Sequence, residues 1–419
     1  MNPNLMKAIP LMVAALMALF SVRWIFFKIL YIAKAKELVD KADARKLQTK
    51  PVPVMGGIAV FFGVALGLLV GYAAGRLLGV PFDVPILPVI LSMVVMLYVG
   101  AMDDAVGLTP RSRFVIEILT VLGLIYASGG CIDSFHGMWG IGKFSWWYAV
   151  PITVIAGVGI INAVNMIDGV NGLSSTLCLL SCVFFGIVFV RSGDQANAML
   201  AFCMAAGLLP FILHNVFGYY SKMFIGDAGT MLMGVLLTWF TICLLRSDTP
   251  YMYYDQLENV NLIAFALAVL CVPVFDTIRV MVLRIVHGKS PFMPDMTHLH
   301  HMFIRVGTSQ FITMLTEVLL MLVVMTVWAL SAYCGASLNW QFYLVVIAAG
   351  VLVWGTYALL SYHIQHDTKF LHKLAAFSVY THLGGKKWWR RLAQGLDAPE
   401  RRQPKFKTPD EDSDGYDND

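Results

Sequence analysis

The chain has 419 residues, 58 % of them hydrophobic and only 13 % charged, with a formal net charge of +4. A mean hydropathy of +0.71 excludes an ordinary soluble enzyme, and so weak a net charge gives no ground for a nucleic-acid partner. The composition describes an integral membrane protein, and because every backbone group in the bilayer must bond internally, the expected fold is an all-α polytopic bundle.

Apolar runs of roughly membrane-crossing length fall near residues 8–31, 55–78, 85–102, 114–131, 146–161, 173–191, 197–217, 228–245, 260–285, 311–333 and 340–361. They predict about eleven transmembrane helices in a membrane domain over residues 1–365, followed by a tail over 366–419. The first run holds Arg23 and Lys28 and lacks a small-residue cleavage site, so it reads as a retained helix. If the connection after it is cytoplasmic, only Lys7, Arg76, Lys143, Arg191 and Arg246 of the 30 basic residues fall on the other side. That bias places the N-terminus outside and the C-terminus in the cytoplasm. The seven cysteines lie in or beside apolar runs with no CxxC pair, and read as small core residues.

The connections carry the chemistry. In the first, Lys50 precedes the bend PVPVMGG, which aims it at an anionic ligand. After the third apolar run, Asp103 and Asp104 stand side by side, with Arg111 and Arg113 beyond them. Helix capping is the plain reading, yet paired carboxylates repel and call for a cation, a cationic group or a proton. Arg113 and Glu117 are spaced to pair on one helix face. Residues 162–173, NAVNMIDGVNGL, gather Asn162, Asn165, Asp168 and Asn171, oxygen donors of the kind Mg²⁺ accepts, although turn chemistry alone also uses such residues. Asp227, in FIGDAGT, opens another apolar run, where a helix N-terminus suits a phosphate near a metal. Asp276 and Arg279, one turn apart, read as a structural pair inside the membrane, with Arg284 nearer the aqueous face. The stretch from His287 to Arg305 clusters His298, His300 and His301 beside Arg284, Lys289 and Arg305. Adjacent imidazoles seldom converge on one zinc ion, and this group better fits a phosphorylated substrate. The tail begins with a basic stretch bearing Trp388 and Trp389, suited to a helix on the membrane surface, and ends in an acidic run of disordered composition over residues 410–419.

All five polar clusters fall in odd-numbered connections, hence on one membrane face, as a site for a metal-bound diphosphate requires. The segments MGGIAV, AMDDAVGL, NAVNMIDGVNGL, FIGDAGT and SPFMPDMTHLHH, in that order over residues 50–305, resemble the motif series of the polyprenyl-phosphate N-acetylhexosamine-1-phosphate transferase family. The histidine loop resembles that of the WecA-like bacterial branch, which makes undecaprenyl-diphosphate N-acetylglucosamine; the sibling that transfers phospho-MurNAc-pentapeptide has a different histidine pattern.

The resemblance implies a multi-pass enzyme of the bacterial cytoplasmic membrane with its site on the cytoplasmic face. Its partners would be a UDP-N-acetylhexosamine, undecaprenyl phosphate and membrane lipid, and self-association as a homodimer is left open. The implied cofactor is Mg²⁺, with Mn²⁺ as the alternative. By motif position Asp227 is a metal ligand and Asn165 a second. Asp103 and Asp104 orient or deprotonate the lipid phosphate, and Asp168 and Asn171 meet the nucleotide. Arg284, His298, His300 and His301 hold the diphosphate or sugar; Lys50, Arg113 and Asn162 complete the substrate-binding set. Three positions depart from the related pattern: Gly107 stands where a further acid follows the Asp pair, Asn171 where Asp is frequent, and Met296 where an Arg is found. Met296 removes a charge from the loop expected at the sugar, which leaves another UDP-sugar as the closest rival. A cation-coupled transporter using Asp276 and Arg279 is the alternative of a different class; it predicts inverted repeats and helices broken at mid-membrane.

Overall fold

The apolar runs become helices because only the intrahelical ladder satisfies backbone N–H and C=O groups away from water. A computed structural model describes residues 3–40, 51–80, 82, 86–248, 260–291, 296–369, 373 and 386–401. The helices are α1 (Pro3–Ala35), α2 (Gly56–Leu78), α3 (Leu87–Val106), α4 (Pro110–Ser128), α5 (Trp146–Met166), α6 (Leu173–Arg191), α7 (Gln195–Phe217), α8 (Gly226–Leu245), α9 (Leu262–Val269), α10 (Cys271–Val286), α11 (Leu299–Arg305), α12 (Gln310–Tyr333), α13 (Leu338–Ala349), α14 (Thr356–His366) and α15 (Lys387–Arg401). A π-helical turn, Gly350–Gly355, joins α13 to α14. Lys50, the bulk of the stretch after α14 and the acidic end lie outside the described residues.

Among the described residues nine helices are long and apolar enough to cross a membrane, with α13 and α14 counted as one span, and the bent pair α9–α10 makes a tenth. The count of eleven is not reached: the remaining expected span corresponds to α4, a helix that carries Arg111, Arg113 and Glu117 and is not among those apolar enough to cross. The run expected as one helix over 260–285 is bent by 78° between α9 and α10. Pro273, in the first turn of α10, has no N–H to give the carbonyl four residues back, so the ladder stops there. Six cysteines are buried as expected, but Cys334 is exposed.

The bundle is organised around α8. Its sequence is apolar on every face, the mark of an enclosed helix, and every residue from Ala228 to Leu245 is buried. α3, α5, α2 and α6 pack around it. The surrounding helices instead show apolar side chains on their outer faces, such as Leu66, Leu69, Leu91, Leu119 and Leu319, as lipid contact requires. Small residues let the backbones close in at the amino end of α8: a Cβ on Gly100 of α3 would run into the backbone of Asp227 and Ala228. Neither backbone can yield, so Gly100→Ala is expected to lower stability by about 1–3 kcal/mol, the usual cost of overpacking. Thermal unfolding of the detergent-solubilised protein checks this; an unchanged melting temperature would refute it.

Two short strands, β1 (Val39–Asp40) and β2 (Val52–Pro53), pair antiparallel beside the first bend. The bend docks on the turn before α8 through Phe224 N–H to the Pro53 carbonyl (2.8 Å) and Gly56 N–H to the Phe224 carbonyl (2.9 Å). α1, α2 and α7 form one side of the bundle, α12 to α14 the other.

Candidate active site

A cavity of about 1210 Å³ opens at the amino end of α8, larger than the few hundred to a thousand Å³ typical of a small-ligand pocket. Its walls come from residues 34–39 and 51–58, the end of α3, the turn between α5 and α6, the loop between α7 and α8, the start of α11 and Gln310. All are odd-numbered connections or the helix ends beside them. Asp104, Asn165, Asp168, Asn171, Asp227, His300 and His301 line it.

Asp227 sits in the first turn of α8 with its side chain 36 % exposed, open to the cavity. Two neighbours aim it. Asn165 donates to its Oδ1 at 2.7 Å and to Thr230 Oγ1 at 2.7 Å, while the Asn165 carbonyl oxygen accepts from Arg113 at 2.8 Å. Asn165, expected to ligate metal, therefore turns its nitrogen to the carboxylate and its oxygen to a guanidinium; in this arrangement it orients Asp227.

Asp104 reaches across from α3 to accept from the backbone N–H groups of Asp227 (3.0 Å) and Ala228 (3.2 Å). A carboxylate on the positive end of a helix satisfies two of its orphan donors. The phosphate expected on those N–H groups thus finds them occupied, because a neighbouring helix supplies the anion. Gly226, at φ 71°, makes room: a Cβ there would lie 2.6 Å from Asp104 Oδ2.

Behind this front lies a buried bracket. Arg113 binds Asp103 through Nη1 (3.1 Å) and Glu117 through Nε (3.1 Å), and approaches Asp227 at 3.9 Å. Glu117 is wholly buried and also accepts from the Asn162 amide; that amide bonds the Val158 carbonyl at 2.9 Å as well. Asp103 further accepts from Leu108 N–H at 2.7 Å, holding the α3–α4 turn. Asp103, Arg113 and Asn162, expected at substrate, do not line the cavity. Each spends its polar atoms on a neighbour.

Asp168 accepts from Ser174 Oγ at 2.6 Å. It is open to the cavity but surrounded by protein elsewhere, and loss of bulk water pushes its carboxyl up to about 7, against the Ser174 hydrogen bond and with help from the Asp227 charge. The Asn171 N–H donates to Gln310 Oε1 at 3.2 Å.

The histidines divide. His298 Nδ1 lies 2.8 Å from Asp276 Oδ2, and Leu299 N–H donates to the same carboxylate at 3.2 Å. Asp276 also pairs with Arg279 at 2.6 Å, whose guanidinium covers the Tyr357 ring at 3.7 Å and donates to the Thr297 carbonyl. The expected Asp276–Arg279 pair is present, and it also anchors the loop. His298, buried there, and Arg284, which donates to the Pro291 carbonyl at 2.6 Å, lie off the cavity. His300 and His301 lie on its wall with ring centroids 4.2 Å apart and the rings tilted by 49°. Neither ring nitrogen of His300 finds a hydrogen-bond partner among the described residues, and Nε2 packs against Gly169. Burial, then the neighbouring His301 and His298, lowers the His300 pKa well below its usual value, so its ring is neutral at pH 7.

The sequence reading overlooked Lys222. It lines the cavity, no carboxylate among the described residues pairs with it, and burial lowers its pKa. Its position just ahead of FIGDAGT was the available signal. Among the described residues no three His, Cys, Asp or Glu side chains converge as a metal cage. Mg²⁺ needs none: it is commonly held by one or two carboxylates plus substrate phosphates. Asp227, exposed to a cavity shared with Asp104 and Asp168, fits that mode.

Residues 86–245 match the family model for glycosyl transferase family 4. The chain is 29 % identical over 299 residues to the undecaprenyl-phosphate alpha-N-acetylglucosaminyl 1-phosphate transferase of Escherichia coli (strain K12), covering 69 % of this chain and 75 % of that protein. It is 31 % identical over 278 residues to the protein of the same name from Salmonella typhi, covering 64 % and 70 %. Against the probable undecaprenyl-phosphate N-acetylglucosaminyl 1-phosphate transferase of Bacillus subtilis (strain 168) it is 28 % identical over 305 residues, covering 72 % and 80 %.

Proposed function

The chain belongs to glycosyl transferase family 4, and from that premise we propose that it transfers N-acetylglucosamine-1-phosphate from a UDP-sugar to undecaprenyl phosphate, releasing UMP. The observation that carries the reading is Asp227 at the head of the enclosed helix α8, facing a cavity that also takes Asp168, Lys222, His300 and His301. Acidic groups for a cation and basic groups for phosphates line one space of about 1210 Å³.

The acceptor is a phosphate monoester with a second pKa near 6 and is mostly a dianion at neutral pH. A strong base is therefore not required, which agrees with Asp103 and Asp104 being spent on Arg113 and on the start of α8. One acceptor oxygen attacks the donor's β-phosphorus in line. The bond from that phosphorus to the bridging oxygen breaks, and the oxygen leaves on UMP. Asp227 is the ligand for Mg²⁺, with Asp168 the next carboxylate on the same cavity. The ion, when bound, offsets charge on the diphosphate oxygens. Lys222 brings an ammonium group, and neutral His300, with His301 beside it, offers ring nitrogens to diphosphate or sugar. Asp104, Asn165 and Arg113 hold Asp227 in place.

The site faces the cytoplasm, with the N-terminus outside and the tail inside. The support is the concentration of basic residues in the odd connections, the same ones that build the cavity.

The test is purified protein with undecaprenyl phosphate, Mg²⁺ and a panel of UDP-sugars. UMP is expected, only when acceptor is present and fastest with UDP-N-acetylglucosamine. UDP instead would mean ordinary glycosyl transfer and overturn the reading. UMP without acceptor would overturn the one-step displacement in favour of a phospho-enzyme.

A further inference from the structure

The cavity wall formed by residues 218–222 is held from outside the membrane bundle. α15 lies against the carboxyl end of α7, with Trp389 on Phe217 at 4.5 Å and on Phe311 at 5.5 Å. Two turns on, Asp397 is only 2 % exposed. Its carboxylate accepts from Ser221 N–H (2.9 Å), from Ser221 Oγ (2.7 Å) and from Tyr219 N–H (3.3 Å). Ser221 Oγ also lies 3.0 Å from His214 Nδ1 of α7. A second strut comes from α1, where Lys34 Nζ donates to the Tyr220 carbonyl at 2.9 Å. A loop this short makes no ladder of its own, so its buried donors depend on these partners. The residue that follows Ser221 is Lys222.

We infer that Asp397 is a positioning residue for the transfer: from the tail helix it splints residues 219–221 so that the Lys222 ammonium stays in the cavity, where the phosphates of the substrates meet. The role assigned to Lys222 rests on the function proposed above. Displacing a substrate-holding group by about 1 Å is enough to cost on the order of 100-fold in rate, so a contact remote from the chemistry has leverage here.

The experiment uses the full-length chain in lipid nanodiscs, as wild type, Asp397→Ala, Asp397→Asn, Lys222→Ala and the double variant Asp397→Ala/Lys222→Ala. Hydrogen exchange at the Tyr219 and Ser221 amides is expected to speed up in Asp397→Ala, and less in Asp397→Asn, which keeps one acceptor oxygen. The value of kcat/KM is expected to fall by roughly 10- to 100-fold in Asp397→Ala, mainly through KM for a phosphate-bearing substrate. Asp397→Asn is expected to recover part of it. In the Lys222→Ala background the Asp397 change should add nothing, which a merely structural role would not produce. Unchanged exchange at 219–221 would overturn the splint. Faster exchange with fully additive losses in the double variant would overturn its link to Lys222. Wild-type protein that releases no UMP would instead sink the transfer reading, and the exchange measurement would still decide whether Asp397 holds the loop.

Discussion

Asp227→Asn is expected to lower turnover by at least about 1,000-fold, the scale on which removing a principal charge-stabilising group acts, while the protein still folds. The two side chains are nearly isosteric, and the Asn165 amide at 2.7 Å keeps an oxygen to donate to. Packing is also spared, because the side chain is open to the cavity while the rest of α8 is enclosed. What disappears is the negative charge that, in the proposed reaction, holds a divalent cation next to the diphosphate. Two anionic substrates then approach without that compensation, and the barrier rises. The measurements are UMP release over a range of Mg²⁺ concentrations and thermal unfolding of the same sample. Near-wild-type turnover at an unchanged melting temperature would remove Asp227 as the cation's ligand.

Arg113 is expected to produce the largest effect on folding. It joins Asp103, Glu117 and Asn165 through separate nitrogens, and Glu117 is wholly buried. Arg113→Met strands that carboxylate without a cation, which costs about 3–5 kcal/mol when one partner of a buried pair is removed. The variant should accumulate poorly. Arg113→Lys keeps the charge but loses the planar fork that spans several acceptors; it should fold and turn over roughly 10- to 100-fold more slowly, as loss of substrate-site geometry implies. The double variant Arg113→Met/Glu117→Met should regain folded protein without regaining activity, because a matched apolar pair tolerates burial where a lone charge does not. Expression yield, size-exclusion profile and UMP release check the series. A stable, inactive Arg113→Met would mean that the bracket serves only catalysis. A stable, active one would mean that it serves neither.

The sequence by itself determined the membrane class, the position of almost every helix and many of the polar residues that meet around the cavity. These are local properties: a run of apolar side chains has one viable backbone in lipid, and a polar cluster between two such runs costs too much to sit there unused. It also determined the shared end of the bundle, since alternation of spans puts odd connections together whatever the packing. The break at Leu270 was carried by Pro273, but where α10 then travels was not. Only the tertiary structure decided which polar residue faces the cavity and which braces its neighbour. Arg113 meets Asn165 across 52 residues, Asn165 meets Asp227 across 62, and Asp104 meets the start of α8 across 123; no local spacing encodes such pairings. For the same reason His298 and His300, two residues apart, part company: one turns to Asp276 and the other to Gly169. Lys222 and Asp397 emerge as a unit only once the tail helix is docked. A motif names the atoms available, whereas helix phase and packing assign each of them to substrate or to scaffold.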